Sequence, residues 1–190
     1  MKTLTGYHFT ADTLRNGEPI PPRGEWLLFK GAVVPCQSGL HMSVHPFEAL
    51  KYAPGSLLHK VELRGNLVSH CISGSVIDKW AGSERRIIAS INAEKLLRDF
   101  ARWNALQVIH LWKAPDVVKR YLETGDESLR DAAGAAARAA AGAAARAAAG
   151  DAAWAAARDA ARDAARDAAR DAAIKKSRRK FLEMVEEAFK

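Results

Sequence analysis

Residues 131–173, DAAGAAARAAAGAAARAAAGDAAWAAARDAARDAARDAARDAA, decide how the chain divides: 27 of these 43 residues are alanine, and Trp154 is their one large apolar side chain. Alanine forms helix readily but buries little area per residue. The stretch therefore predicts helix without a deep core, and the 48% of apolar residues in the chain is an average over two unlike parts. A four-residue register runs through Arg130, Gly134, Arg138, Gly142, Arg146, Gly150, Trp154, Arg158, Arg162, Arg166 and Arg170. Four residues turn an α-helix by about 400°, so this line drifts about 40° per repeat and forms no straight heptad seam. Asp159, Asp163 and Asp167 stand three residues before the next arginine, a spacing that pairs opposite charges on a helix. Each glycine costs about 1 kcal/mol relative to alanine. Gly134, Gly142 and Gly150 thus mark close approach or breaks, and Gly150-Asp151 reads as a break, with a new helix capped by the aspartate. That predicts a helical hairpin, the alternative being one extended helix of about 65 Å.

Downstream, Phe181, Leu182, Val185 and Phe189 form an apolar stripe that must be covered, by the chain itself or by another copy. Just before it, Lys175, Lys176, Arg178, Arg179 and Lys180 make a basic cluster of the kind that contacts phosphates. The net charge of +7 is otherwise spread evenly, with 17 Lys/Arg against 13 Asp/Glu in residues 1–130 and 12 against 9 in residues 131–190.

Upstream, the core must come from about 130 residues. Residues 4–10 alternate as a strand, and prolines at 19, 21 and 22 make a loop. WLLFKGAVV (26–34) predicts two short strands around Lys30-Gly31. Pro46 opens a short helix ending near Tyr52. LLHKVEL (57–63) and RRIIASI (85–91) read as strands, and Asn92 caps a helix through Trp103. Pro115 opens another helix, ending at Gly125. Strands first and helices after predict an α+β fold. The expected organisation is an α+β domain at 1–125, Ala-rich repeat helices at 126–174, and a basic then amphipathic helix at 175–190.

Several chemistries are excluded by pattern. The chain has no Gly-rich phosphate loop, nucleophile elbow, Cys-x-x-Cys pair or zinc-protease helix. No uncharged apolar run reaches about 18 residues, which predicts no membrane span. The opening residues lack a signal-peptide core, and two cysteines predict a reduced, cytoplasmic setting. The polar residues left in strand-like segments are the candidates, among them His8, His41, Tyr52, His70, Asp78, Lys79 and Glu84. Cys36, His41, His45, His70 and Cys71 allow a zinc reading, but their spacing is irregular and lone histidines with free thiols are the expected state.

GLHMSVHPFEALKY (39–52) resembles the second signature of ADP-ribosyltransferases of the poly(ADP-ribose) polymerase type. There a Gly-apolar-aromatic strand end leads into a short helix ending in tyrosine. LLHKVELRGN (57–66) resembles the strand and turn that follow, and SERRIIASINAEKLL (83–97) the late strand that begins with the catalytic glutamate. YHFT (7–10) is similar to the His-x-Thr strand of related transferases. The resemblance implies a split sheet with NAD in the cleft between its halves. His8 and Thr10 would hold the adenosine ribose, His41 would replace the aromatic after the glycine, and Tyr52 would stack on nicotinamide. Glu84 would be catalytic, stabilising the cation-like sugar transition state. Residues 1–100 also resemble a domain common in phage and prophage genomes, with Cys-x-x-Gly-Leu-His, Pro-x-x-Ala-x-x-Tyr and a Val-Glu strand. This implies a phage protein in the cytoplasm of a bacterial host.

The expectation is therefore a phage-type ADP-ribosyltransferase-like domain that binds NAD or a related nucleotide and modifies a host macromolecule. The alternative is a non-enzymatic interaction protein that blocks a host defence factor, its Ala-rich helices serving oligomerisation or docking. A third reading is nucleic-acid binding through Lys175, Lys176, Arg178, Arg179 and Lys180.

Overall fold

The alternation at the start of the chain becomes β1 (Thr3–Thr10), which pairs along its length with β4 (Leu57–Arg64) in a computed structural model describing residues 2–72, 76–151 and 159–190. β4 pairs in turn with β7 (Glu84–Asn92), and β7 with the short β2 (Trp26–Leu28). The resulting four-stranded sheet has the order β1-β4-β7-β2, and all its pairs are antiparallel. A second, three-stranded antiparallel sheet joins β3 (Leu40–Met42), β6 (Val76–Gly82) and β5 (Val68–Ile72) in the order β3-β6-β5. Antiparallel sheets with separate helices make this an α+β fold, as the sequence predicts.

The chain divides into two compact units, Met1–Leu97 with Lys180–Lys190, and Arg98–Arg179. In the first, Met42, Val61, Leu63 and Ile87 form the buried centre, with Leu4, Leu40 and Trp80 packed around it. Met42 of one sheet thus sits on the apolar face of the other. A backbone bridge fixes that approach: the Tyr7 N–H donates to the Ser43 carbonyl (2.7 Å) and the Ser43 N–H to the Tyr7 carbonyl (3.0 Å). Gly6 makes it possible, since a Cβ there would lie 2.5 Å from the Ser43 oxygen. α1 (Pro46–Leu50) follows at once. Pro46 occupies its first turn, and the His45 ring, through Nδ1, accepts from the Phe47 N–H at 3.1 Å.

The C-terminal stripe docks on its own chain. Phe181 and Val185 are fully buried, Phe181 meets Phe47 edge-on with ring centroids 6.3 Å apart, and Phe189 lies 6.3 Å from Tyr7. Phe181 and Val185 lie in the last turns of α5 (Asp159–Ala188), and Phe189 follows it directly. The stripe thus belongs to the compact unit formed by residues 1–97 and 180–190.

In the second unit, α2 (Glu94–Val108) leads through a short 3-10 turn to α3 (Asp116–Thr124) and then α4 (Arg130–Asp151). Gly125 ends α3 in the left-handed region (φ 68°), and a Cβ there would meet the Arg102 guanidinium. Buried Val118 and Ala133 mark where α3 and α4 pack.

One sequence expectation is corrected. Residues 26–34 hold one strand, Trp26–Leu28, and Val34 makes only an isolated bridge with Ser38. α4 runs unbroken through Gly134 and Gly142 to Asp151, and the chain beyond the expected break at Gly150-Asp151 lies outside the described residues. Isolated glycines, each about 1 kcal/mol unfavourable, do not stop a helix that alanine sustains on both sides. Trp154 and the choice between hairpin and extended helix fall outside the described residues, as do the side chains of the Asp159–Arg162 type of pair.

Candidate functional site

β1 and β7 of the four-stranded sheet face β3 and β6 of the three-stranded sheet across a cleft of about 900 Å³ within the first unit. His8 and Thr10 reach it from β1, His41 from β3, and Tyr52 from just beyond α1. Four of the five expected site residues are thus brought together. Arg85, Lys79, His70 and Arg15 line the same space.

His59 is the hidden support of this wall. It lies opposite His8 in register and is 2% exposed. Its Nε2 meets Thr10 Oγ1 at 2.8 Å and its Nδ1 meets Ser90 Oγ at 2.7 Å. Burial, then the charge of Arg85, pushes its pKa down to about 4. A neutral imidazole held between two hydroxyls therefore sets where Thr10 points. His8 is held well below the usual imidazole value by burial first, then by Arg85. His41 is lowered by burial and then by Lys79 and Arg85, and its Nε2 accepts from the Cys36 N–H at 3.2 Å.

Tyr52 belongs to a second network. Its hydroxyl donates to Asp78, whose other oxygen meets His70 Nδ1 at 2.8 Å. Burial, then the bond and charge of Asp78, pushes the phenol up to about 12. For Asp78, burial acts to raise the pKa, but the bonds from Tyr52 and His70 outweigh it and the carboxyl is lowered. One face of the Tyr52 ring carries the Lys79 ammonium, 4.0 Å from the ring centroid.

Arg85 is the residue that sequence reasoning missed. It is 6% exposed, and burial lowers its pKa to about 10, so it stays charged at neutral pH. Its Nη1 donates to the His41 carbonyl at 2.7 Å, and among the described residues no carboxylate pairs with it. The signal was its parity with Ile87 on a strand whose inner face is apolar.

Glu84, the expected catalytic residue, does not reach the cleft. Neighbours on a strand point to opposite faces, so Arg85 turns inward and Glu84 outward. There Glu84 accepts from Arg64 Nε at 2.7 Å, and the Arg64 guanidinium lies 3.8 Å from the Trp26 ring centroid. Arg86, on the same side, stacks at 4.7 Å from that ring and bonds Glu62 at 2.7 Å.

The zinc reading finds no support in the geometry. Among the described residues no group of three or more His, Cys, Asp or Glu side chains gathers to hold a metal ion. His45 caps α1, His41 accepts from a backbone N–H, and His70 is bonded to Asp78. The basic cluster is partly engaged as well: Lys176 donates to Gln107 at 2.6 Å, and Lys180 lies 3.8 Å from Glu183. Among the described residues no helix is long and apolar enough to cross a membrane. No protein-family model, curated protein or solved structure matches the chain.

Proposed function

We propose that the first unit is an ADP-ribosyltransferase-like domain of phage type whose cleft binds NAD or a related nucleotide. The observation that carries this reading is the meeting of His8, Thr10, His41 and Tyr52 on one cleft between two sheets. At about 900 Å³ the cleft lies within the range of small-molecule and cofactor sites, about 300–1,000 Å³. His8 and His41, both kept neutral, offer hydrogen bonds to ribose hydroxyls without adding charge. The reading stops at binding. Transfer to a host macromolecule would need a carboxylate facing the sugar, and Glu84 is turned away and paired with Arg64. The test is thermal unfolding of the full chain with NAD. Ligand at one hundred times its Kd stabilises by about 2.7 kcal/mol, which raises Tm by several degrees. A shift that His8→Ala removes supports the reading, and the absence of any shift sinks it.

A second reading has its own observation in the second unit. Val108, Leu111 and Trp112 are exposed there, and an apolar groove of about 580 Å³ runs between Val108, Trp112, Val118, Ala133 and Ala137. This favours docking on a host protein or self-association with another copy of the chain. Its test is gel filtration of Leu111→Lys. Cutting the chain at Gly125 would not serve, because it removes Phe181 and Val185 from the core of the first unit.

A further inference from the structure

A buried cation without a counter-charge is costly to fold unless something neutralises it. Arg85 is such a group. The carboxylates around it are engaged elsewhere or lie at the rim: Asp78 is bonded to Tyr52 and His70, Glu84 to Arg64 and Glu62 to Arg86, and Glu18 is exposed. A guanidinium has five N–H donors, and the His41 carbonyl takes one of them. Lys79, 8% exposed, adds a second cation to the cleft wall, and the exposed Arg15 a third. Three cations against the single lining carboxylate of Glu18 leave the cleft positively charged.

We propose that Arg85 anchors a diphosphate subsite in this cleft, with Lys79 and Arg15 completing its cationic surround and a nucleoside diphosphate as the class of ligand. The nucleoside half rests on the nucleotide reading above, whereas the anion half rests on Arg85 and the two cations beside it. The planar fork of a guanidinium matches two oxygens of one phosphate, and charge-assisted bonds of this kind are about twice as strong as neutral ones. An excess of two positive charges fits a diphosphate better than a single carboxylate. The subsite also explains why a charge sits in register with fully buried Leu63, where an apolar residue would pack at lower cost.

The test compares sodium pyrophosphate, ADP and adenosine by thermal unfolding and calorimetric titration of the full chain, then repeats the series on Arg85→Met. Pyrophosphate and ADP are expected to raise Tm, and adenosine is expected to bind at least about tenfold more weakly than ADP. Arg85→Met is expected to unfold at a higher temperature than the unaltered chain without ligand, while losing at least about tenfold in ADP affinity. A merely structural Arg85, holding the His41 carbonyl, would instead lower Tm and leave the ADP-to-adenosine ratio unchanged. Equal affinities for ADP and adenosine, or ADP affinity undiminished in Arg85→Met, would overturn the subsite. If Arg85→Met does not fold, the ligand series on the unaltered chain decides, since ADP and adenosine differ only in the charged group. Binding of ADP without NAD would remove the NAD reading and keep the subsite. Binding of NAD that survives Arg85→Met would do the reverse.

Discussion

The two faces of β7 carry charge in opposite ways. On the outer face, Glu84 and Arg86 are each neutralised across the sheet, by Arg64 and Glu62, and both arginines lie over Trp26. On the inner face, Arg85 has a backbone carbonyl for a partner and a cleft in front of it. The outer ladder is complete as it stands. The inner charge is complete only with an anion, and that difference separates a structural surface from a site. One residue of parity decides which role a charged side chain takes.

The sharpest break of the comparison is on the core beneath Arg85. Leu63, fully buried and opposite Arg85 in register, should cost about 2–5 kcal/mol when changed to alanine, read from the denaturant midpoint. A loss under about 1 kcal/mol would mean that the inner face is not packed as described.

Acid should separate the faces next. In the folded chain the His59 pKa is near 4, against about 6.5 when unfolded. Between those values the unfolded chain binds a proton that folded His59 refuses, so stability falls as pH drops from about 6.5 to about 4. The depression of about 2.5 pKa units sets the loss at roughly 3 kcal/mol, with His8 and His41 acting in the same direction. Urea midpoints at pH 7 and pH 4.5 measure it, and a flat profile would show that these rings are not held neutral.

The smallest effect belongs to the outer ladder. Glu84 and Arg64 are half-exposed, and such pairs contribute about 0–1 kcal/mol. Glu84→Gln should therefore change the unfolding midpoint little and leave ligand affinity within about twofold. A loss of binding in Glu84→Gln would place that carboxylate back among the ligand contacts and undo the distinction between the faces.

Legibility followed the same physics. β1, β4 and β7 could be read because their apolar residues alternate, and α1 because Pro46 marks its first turn. The bounds of β5 and β6 are not legible because VSHCI and VIDKWAG place His70, Asp78 and Lys79 inside strands, where polar residues mask the alternation. β3 is three residues long and owes its place to Gly6 and the Tyr7–Ser43 bridge, neither of which is visible as a local pattern. In the site, His8, Thr10, His41 and Tyr52 are picked out by the resemblance of residues 7–10 and 39–52 to transferase signatures. Arg85 is not, because RRIIASI has apolar residues at both parities, Ile87 and Ile88, so its alternation is ambiguous. A charged pair such as Glu84-Arg85 offers two candidates, and the burial of Ile87 tells which one faces inward.

The most direct measurement is calorimetric titration of NAD into the unaltered chain and into Arg85→Met. The unaltered chain should bind one NAD per chain, with affinity that falls as salt is added, and the variant should bind at least about tenfold more weakly. No measurable binding to the unaltered chain, or equal binding to both, would contradict an NAD site anchored at Arg85.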